Sequence, residues 1–251
     1  MTPRAWLGAL SATVLWCVGC RPKPRAPRRG ETPVVLVHGI FGDPQAFAVM
    51  SAFLRREGVR HVEAVRLTPN DGTVPVETYG AELDRFVRGV SARHGDASVD
   101  LVGYSMGALV SRYWLQRLGG RGRTRRFVSI SGPQHGAVGA YLSSRAAALE
   151  MRPGSRLLRD LERDRDPFGP VEVYDFWTPL DVMVFPANTA RLQGARLNRR
   201  FVVRSHHDML LSRRVLRAVA DTLLEEVPPP PHPSDELADE LLEERPAGST
   251  L

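Results

Sequence analysis

The feature that most constrains this chain is the pentapeptide Gly103-Tyr104-Ser105-Met106-Gly107, set between the apolar run Val99–Val102 and a helix-like stretch from Ala108 to Leu118. The pattern G-x-S-x-G in that context predicts a strand, a sharp turn and a helix, with the serine at the tip of the turn. Glycines flank the serine because strand and helix approach so closely that a Cβ on either side would collide. A serine hydroxyl is a poor nucleophile until a base takes its proton, and that base needs an orienting carboxylate. The rest of the chain is therefore read for partners of Ser105.

Short strand-like runs, rich in valine and other apolar residues, recur at Val34–Val37, Val62–Val65, Val99–Val102, Phe127–Ile130, Val171–Tyr174 and Phe201–Val203. Between them lie stretches with apolar residues at helical spacing, such as Phe47, Met50, Phe53 and Leu54, or Tyr79, Leu83, Phe86, Val87 and Val90. Strand alternating with helix predicts an α/β fold, a doubly wound and mostly parallel sheet of about six strands. In such sheets chemistry gathers at the carboxyl ends of the strands. Tyr141–Pro170 is one long excursion, with a short helix expected after Ser155 and an almost wholly charged stretch from Arg159 to Asp166. Its charge favours a solvated surface insertion over a hydrophobic lid.

A length of 251 residues and an apolar fraction of 43% suit one domain with extensions. The formal net charge of +6 comes almost entirely from scattered arginines, Lys23 being the only lysine. With no accompanying nucleic-acid-binding motif, that charge does not indicate a nucleic-acid partner. Both cysteines, Cys17 and Cys20, precede the expected domain, so neither a disulfide nor a cysteine metal site is expected within it. Residues 1–19 read as a secretion signal: Arg4, an apolar run too short for a comfortable membrane span, then Gly19 before Cys20. The ending resembles a bacterial lipoprotein signal, which would make Cys20 the lipidated first residue of an envelope protein. Residues 20–32 form a Pro/Arg-rich tether, 33–227 the domain, and 228–251 a proline run followed by an acidic tail expected to be disordered.

Two histidines, His206 and His207, follow the last strand, in chain order after the serine and after an acid. His135 comes too early in the chain and His232 lies in the proline tail. Asp175 and Asp181 both sit near the end of the fifth strand and are candidate acids. His38 reads as a residue bracing its own loop.

The chain resembles the small α/β-hydrolase lipases and esterases of bacteria. The resemblance rests on VLVHG (Val35–Gly39) followed by Ile40, on GYSMG, and on Pro133-Gln134-His135-Gly136, which is similar to T-P-x-H-G. It also rests on Asp181 followed by Val182-Met183-Val184, and on His207 followed three and four residues later by Leu210 and Leu211. It covers about residues 33–224. The resemblance implies cleavage of carboxylic esters through an acyl-enzyme on Ser105, with Asp181 as the acid and His207 as the base. It further implies an oxyanion hole from the backbone N–H groups of Ile40 and Met106. Ester or lipid would be the substrate, with a membrane contacted through the N-terminal anchor. No cofactor or metal is expected. A thioesterase, amidase or acyltransferase on the same fold, or a non-catalytic protein binding hydrophobic ligands, are the alternatives.

Overall fold

The structure is a computed structural model, and it describes residues 30–224. The signal segment, most of the tether with Cys20, and the tail 228–251 lie outside the described residues. Six strands form one sheet: β1 (Val34–Val37), β2 (Val62–Val65), β3 (Val99–Tyr104), β4 (Thr124–Ile130), β5 (Glu172–Trp177) and β6 (Leu197–Arg200). Every pairing is parallel, in the order β2-β1-β3-β4-β5-β6. This is the doubly wound α/β sheet expected from the sequence. The order reverses between β1 and β3, and at such a switch point two successive strand-end loops diverge and leave a crevice.

The crossovers bury a helix stripe on each face. On one side α1 (Ala48–Arg56) and α6 (Arg213–Leu223) press Met50, Phe53, Leu54, Val215 and Val219 against Val34, Leu36, Val128 and Phe176. On the other, α2 (Val76–Arg93) and α3 (Met106–Arg117) place Tyr79, Leu83, Val87, Leu109 and Trp114 over Val35, Val37, Leu101 and Phe127. Each fully buried aliphatic side chain contributes about 1.5–3 kcal/mol relative to exposure, so these two interfaces fix the frame on which the loops ride.

The sixth strand differs from the sequence reading. Pairing with β5 runs from Leu197 to Arg200, one step before the apolar run Phe201–Val203. This strand lies at the sheet edge, where backbone pairing does not require an apolar side chain at every position. Phe201 is the residue of the run that the core takes up, while Val202 stays exposed. The excursion holds two short helices, α4 (Ala146–Glu150) and α5 (Arg156–Leu161). Ser155 caps α5 by accepting from the Leu158 N–H at 3.2 Å. Its charged stretch is fastened to the core: Arg117 on α3 reaches Asp160 at 2.7 Å and Asp164 at 2.8 Å, while Leu158, Leu161 and Phe168 are buried beneath.

One polar row crosses the α3 side of the sheet. Gly103, Ser129, Asp175 and Asn198 stand opposite one another on β3, β4, β5 and β6. The Ser129 hydroxyl accepts from Gln134 Nε2 at 3.0 Å, and the Gln134 carbonyl accepts from buried Arg112 at 2.7 Å. Burial pushes the Asp175 carboxyl up to about 8, against the weaker pull of neighbouring Ser129. Below that value the folded chain holds a proton that an unfolded carboxyl releases near pH 4, so this group's contribution to stability is lost as pH rises towards 8. Asp175→Asn removes that dependence. Urea unfolding between about pH 5 and about pH 8 is expected to show the wild type losing stability relative to the variant, with a slope of up to about 1.4 kcal/mol per pH unit. Parallel curves for the two proteins would refute it.

Candidate active site

Ser105 occupies the turn between β3 and α3 with φ 55° and ψ −129°, a conformation that an L-residue adopts only under constraint. The constraint is visible on both sides. The Ser105 N–H donates to the Ile130 carbonyl at 2.9 Å, and the Ser105 carbonyl accepts from Ala108 N–H at 2.9 Å. A Cβ on Gly107 would lie 2.2 Å from the Val37 carbonyl oxygen, and one on Gly103 would lie 2.6 Å from the Ala108 Cα. Only glycine fits at either place, so the helix start sits directly on the carboxyl end of β1.

That contact brings the loop after β1 against the serine. A Cβ on Gly39 would stand 2.8 Å from Ser105 Cβ and 3.2 Å from its Oγ. Ile40 follows, and Met106 is the first residue of α3, so its N–H has no carbonyl behind it in the helix. The expected oxyanion donors therefore stand on the two segments that flank the serine. His38 is fully buried beneath them. Its Nε2 accepts from the Leu67 N–H at 3.1 Å, which leaves Nδ1 to donate to the Gly39 carbonyl at 2.9 Å. Burial lowers its pKa, so the ring is neutral and braces the loop.

After β5 the chain turns at Asp181, whose side chain is buried. Oδ1 accepts from the backbone N–H groups of Met183 at 3.0 Å and Val184 at 2.9 Å, and Oδ2 receives Nδ1 of His206 at 2.7 Å. The apolar triplet after Asp181 thus matters through its backbone, which curls around the carboxylate. With Nδ1 donating to Asp181, Nε2 of His206 is the ring nitrogen left to accept a proton.

Here the sequence expectation needs correction. His207, selected as the base, is exposed at the start of a single 3-10 turn (His207–Leu210) and is not the partner of Asp181; His206 is. The reason lies in what fixes the turn. The buried pair is Met209 and Leu210, three and four residues after His206, whereas Leu211 is 42% exposed. Counting from leucines alone places the histidine one residue late, because methionine fills the first apolar position. Asp175, the other candidate acid, is sealed in the sheet and has no contact with either histidine among the described interactions.

Tyr104 was missed from sequence because it reads only as the variable position of G-x-S-x-G. Its hydroxyl donates to the His206 carbonyl at 3.2 Å and its ring lies 4.8 Å from the His206 ring. The residue before the serine therefore supports the histidine that pairs with the acid. Gln134 and His135, in the third motif, are structural: Gln134 belongs to the buried polar row, and His135 Nδ1 lies 2.7 Å from Glu162 in the excursion. Among the described residues, no group of three or more histidine, cysteine or acidic side chains is placed to hold a metal ion.

A parallel sheet with a strained serine turn at its switch point, an acid after β5 and a histidine after β6 is the fold of an α/β-hydrolase. The palmitoyl protein thioesterase family model matches residues 33–161, just over half of the chain, and the chain belongs to that family. Its fold is shared with a Bacillus licheniformis lipase, BlEst2 in its mature form, at a TM-score of 0.67 and 17% identity, over 81% of this chain and 96% of that one. Aspergillus fumigatus lipase B is similar at a TM-score of 0.67 and 19% identity, over 79% of this chain and 54% of that one. A protein of Listeria innocua matches at a TM-score of 0.61 and 13% identity, over 80% and 96%.

The Tyr104 contact yields a direct expectation. Tyr104→Phe keeps the ring against His206 and removes one hydrogen bond, so hydrolytic turnover should fall roughly threefold to tenfold. As a positioning effect it should appear in kcat with KM little changed. Unchanged kcat would show that ring packing alone holds His206.

Proposed function

We propose that this protein is a serine hydrolase that cleaves carboxylic esters through an acyl-enzyme on Ser105, with His206 as general base and Asp181 as its orienting acid. The observation that carries this reading is the 2.7 Å His206–Asp181 pair, whose histidine packs on Tyr104, the residue before a serine held in a strained turn. In this mechanism Nε2 of His206 takes the Ser105 hydroxyl proton as Oγ attacks the acyl carbon. The imidazolium that forms is stabilised by buried Asp181, and the oxyanion by the N–H groups of Ile40 and Met106. Each such donor contributes about 3 kcal/mol to lowering the barrier. His206 then returns the proton to the leaving group, and water repeats the sequence to release the acid.

A second reading, thioester cleavage, is favoured by the family match over residues 33–161. It uses the same attack on the same carbonyl, and differs in the group that leaves. A thiol, with a pKa of about 8.5, departs readily as thiolate, whereas an alkoxide needs the proton that His206 carries. The two readings are therefore separable by the dependence of each reaction on the Asp181–His206 pair.

The N-terminal sequence supports a further part of the proposal, that the domain is exported and held at the cell envelope through lipidated Cys20. Among the described residues no helix is long and apolar enough to cross a membrane.

The test is a panel of nitrophenyl esters and acyl thioesters of rising chain length, with fluorophosphonate labelling alongside. Ser105→Ala should abolish labelling and lower kcat by about 10⁴-fold or more. His206→Ala should behave similarly, while His207→Ala stays within about threefold of wild type. With alkyl esters and acyl thioesters of the same acyl chain, Asp181→Asn should slow ester cleavage by about 10⁴-fold and thioester cleavage distinctly less where acylation limits both. Labelling and turnover that persist in Ser105→Ala would refute the nucleophile, and loss of activity in His207→Ala alone would move the base.

A further inference from the structure

An arc of exposed apolar side chains runs along the loops that frame the candidate site. Phe41 lies next to Ile40 on the oxyanion loop. Tyr141 and Leu142 stand at the start of the excursion, and Val182, Met183 and Phe185 on the turn that holds Asp181. Their exposure ranges from 56% at Tyr141 to 93% at Leu142, far above what an ordinary surface turn presents in one neighbourhood. The arc is continuous by contact. The Arg145 guanidinium sits 5.0 Å above the Phe41 ring, and that of Arg152 sits 4.9 Å above Tyr141 while its Nη2 donates to the Ser143 carbonyl at 3.0 Å. The Val138 N–H donates to the Phe185 carbonyl at 2.8 Å, joining the excursion to the acid turn.

From this arrangement we infer that the arc is a docking surface for an anionic lipid layer, with the catalytic crevice facing the lipid. It deepens the acyl-hydrolase reading of the same site and rests on it. The chemistry of the arc selects the occupant. Its apolar tips carry no array of side-chain donors and acceptors that a protein partner would have to match. Segments 137–145 and 182–186 contain no acidic residue, and the chain as a whole carries a net charge of +6. Arg145 and Arg152 hold their guanidinium groups over aromatic rings at the edge of the apolar strip, which places cations where phospholipid headgroups meet acyl chains. Large apolar tips inserted to headgroup depth, with arginines at their border, are the pattern of a peripheral interfacial contact.

The chain's tails do not crowd this surface where they join the domain. Gly30 and Leu224 lie together at the opposite end of the sheet, where a Cβ on Gly30 would be 3.5 Å from Leu224 Cδ2 and the Gly30 carbonyl accepts from the Arg60 N–H at 2.9 Å. Docking through the arc is thus a contact separate from any attachment made by the N-terminal segment, and a probe can tell the two apart.

The experiment uses the full chain carrying Cys17→Ser and Cys20→Ser, with an environment-sensitive dye attached through Val182→Cys or, as a control at the far end of the sheet, through Arg60→Cys. Phosphatidylglycerol vesicles should shift the emission of the dye at position 182 to the blue and leave the dye at position 60 in water. Adding Arg145→Gln and Arg152→Gln should weaken the apparent affinity roughly tenfold or more, and neutral phosphatidylcholine vesicles should bind correspondingly less well. Leu142→Ser with Phe185→Ser should abolish the shift while turnover of a soluble short-chain ester stays near wild type. A dye at position 182 that vesicles leave unmoved would overturn the inference. So would a shift that grows with protein concentration in the absence of lipid, since a second copy would then cover the arc. Soluble-ester turnover reads the catalytic proposal independently: a chain that docks but cleaves nothing refutes catalysis and supports docking.

Discussion

The contact on which the rest of this structure depends is the seating of α3 against the ends of β1 and β3. Gly107 touches the Val37 and His38 carbonyls where any side chain would overlap them, and Gly103 does the same beneath Ala108. A left-handed serine costs about 1–3 kcal/mol, and it persists because hydrogen bonds to Ile130 and Ala108 leave the turn no other path. One consequence is chemical. The approach that strains Ser105 also brings the Gly39 loop into van der Waals contact with it, so the proposed nucleophile and oxyanion donors are set by a single packing event rather than by separate loops.

Two acids near the end of the same strand show how environment divides roles. Asp175 points into the sheet, and burial pushes it up to about 8, so at neutral pH it is mostly an uncharged acid suited to a polar row. Asp181, four residues beyond the strand, is also buried but receives two backbone N–H groups and a histidine. Those bonds turn the Asp181 carboxyl towards the histidine ring rather than into the sheet. Burial alone does not distinguish the two; the direction of the surrounding hydrogen bonds does.

The legible part of the chain was the part in which sequence pattern and packing coincide. Short runs rich in apolar residues marked β1 to β5, the unbroken one at Val34–Val37 in a strand covered on both faces, and glycine spacing marked the serine turn because only glycine fits there. Legibility ended where backbone geometry decides. β6 pairs through Leu197–Arg200, whose polar side chains give no strand signal, while the apolar run beside it lies beyond the ladder. The histidine was misplaced by one residue because the burial of Met209, rather than of Leu211, sets the phase of a single 3-10 turn. Tyr104 was invisible because its partner, the His206 carbonyl, is far away in sequence and is a backbone group.

The excursion between β4 and β5 reads differently once its two surfaces are separated. Arg117 pairs with Asp160 and Asp164, and Leu158 and Leu161 pass into the core, while Arg159, Glu162, Arg163, Arg165 and Asp166 stay exposed, so the solvated insertion is also fastened to α3. Its opening turn is the reverse: Tyr141 and Leu142 are exposed, Arg152 holds the turn through the Ser143 carbonyl, and the bond from Val138 to Phe185 ties it to the Asp181 loop. The excursion is thus anchored by ion pairs to the C-terminal end of α3 and exposes apolar side chains at its opening turn.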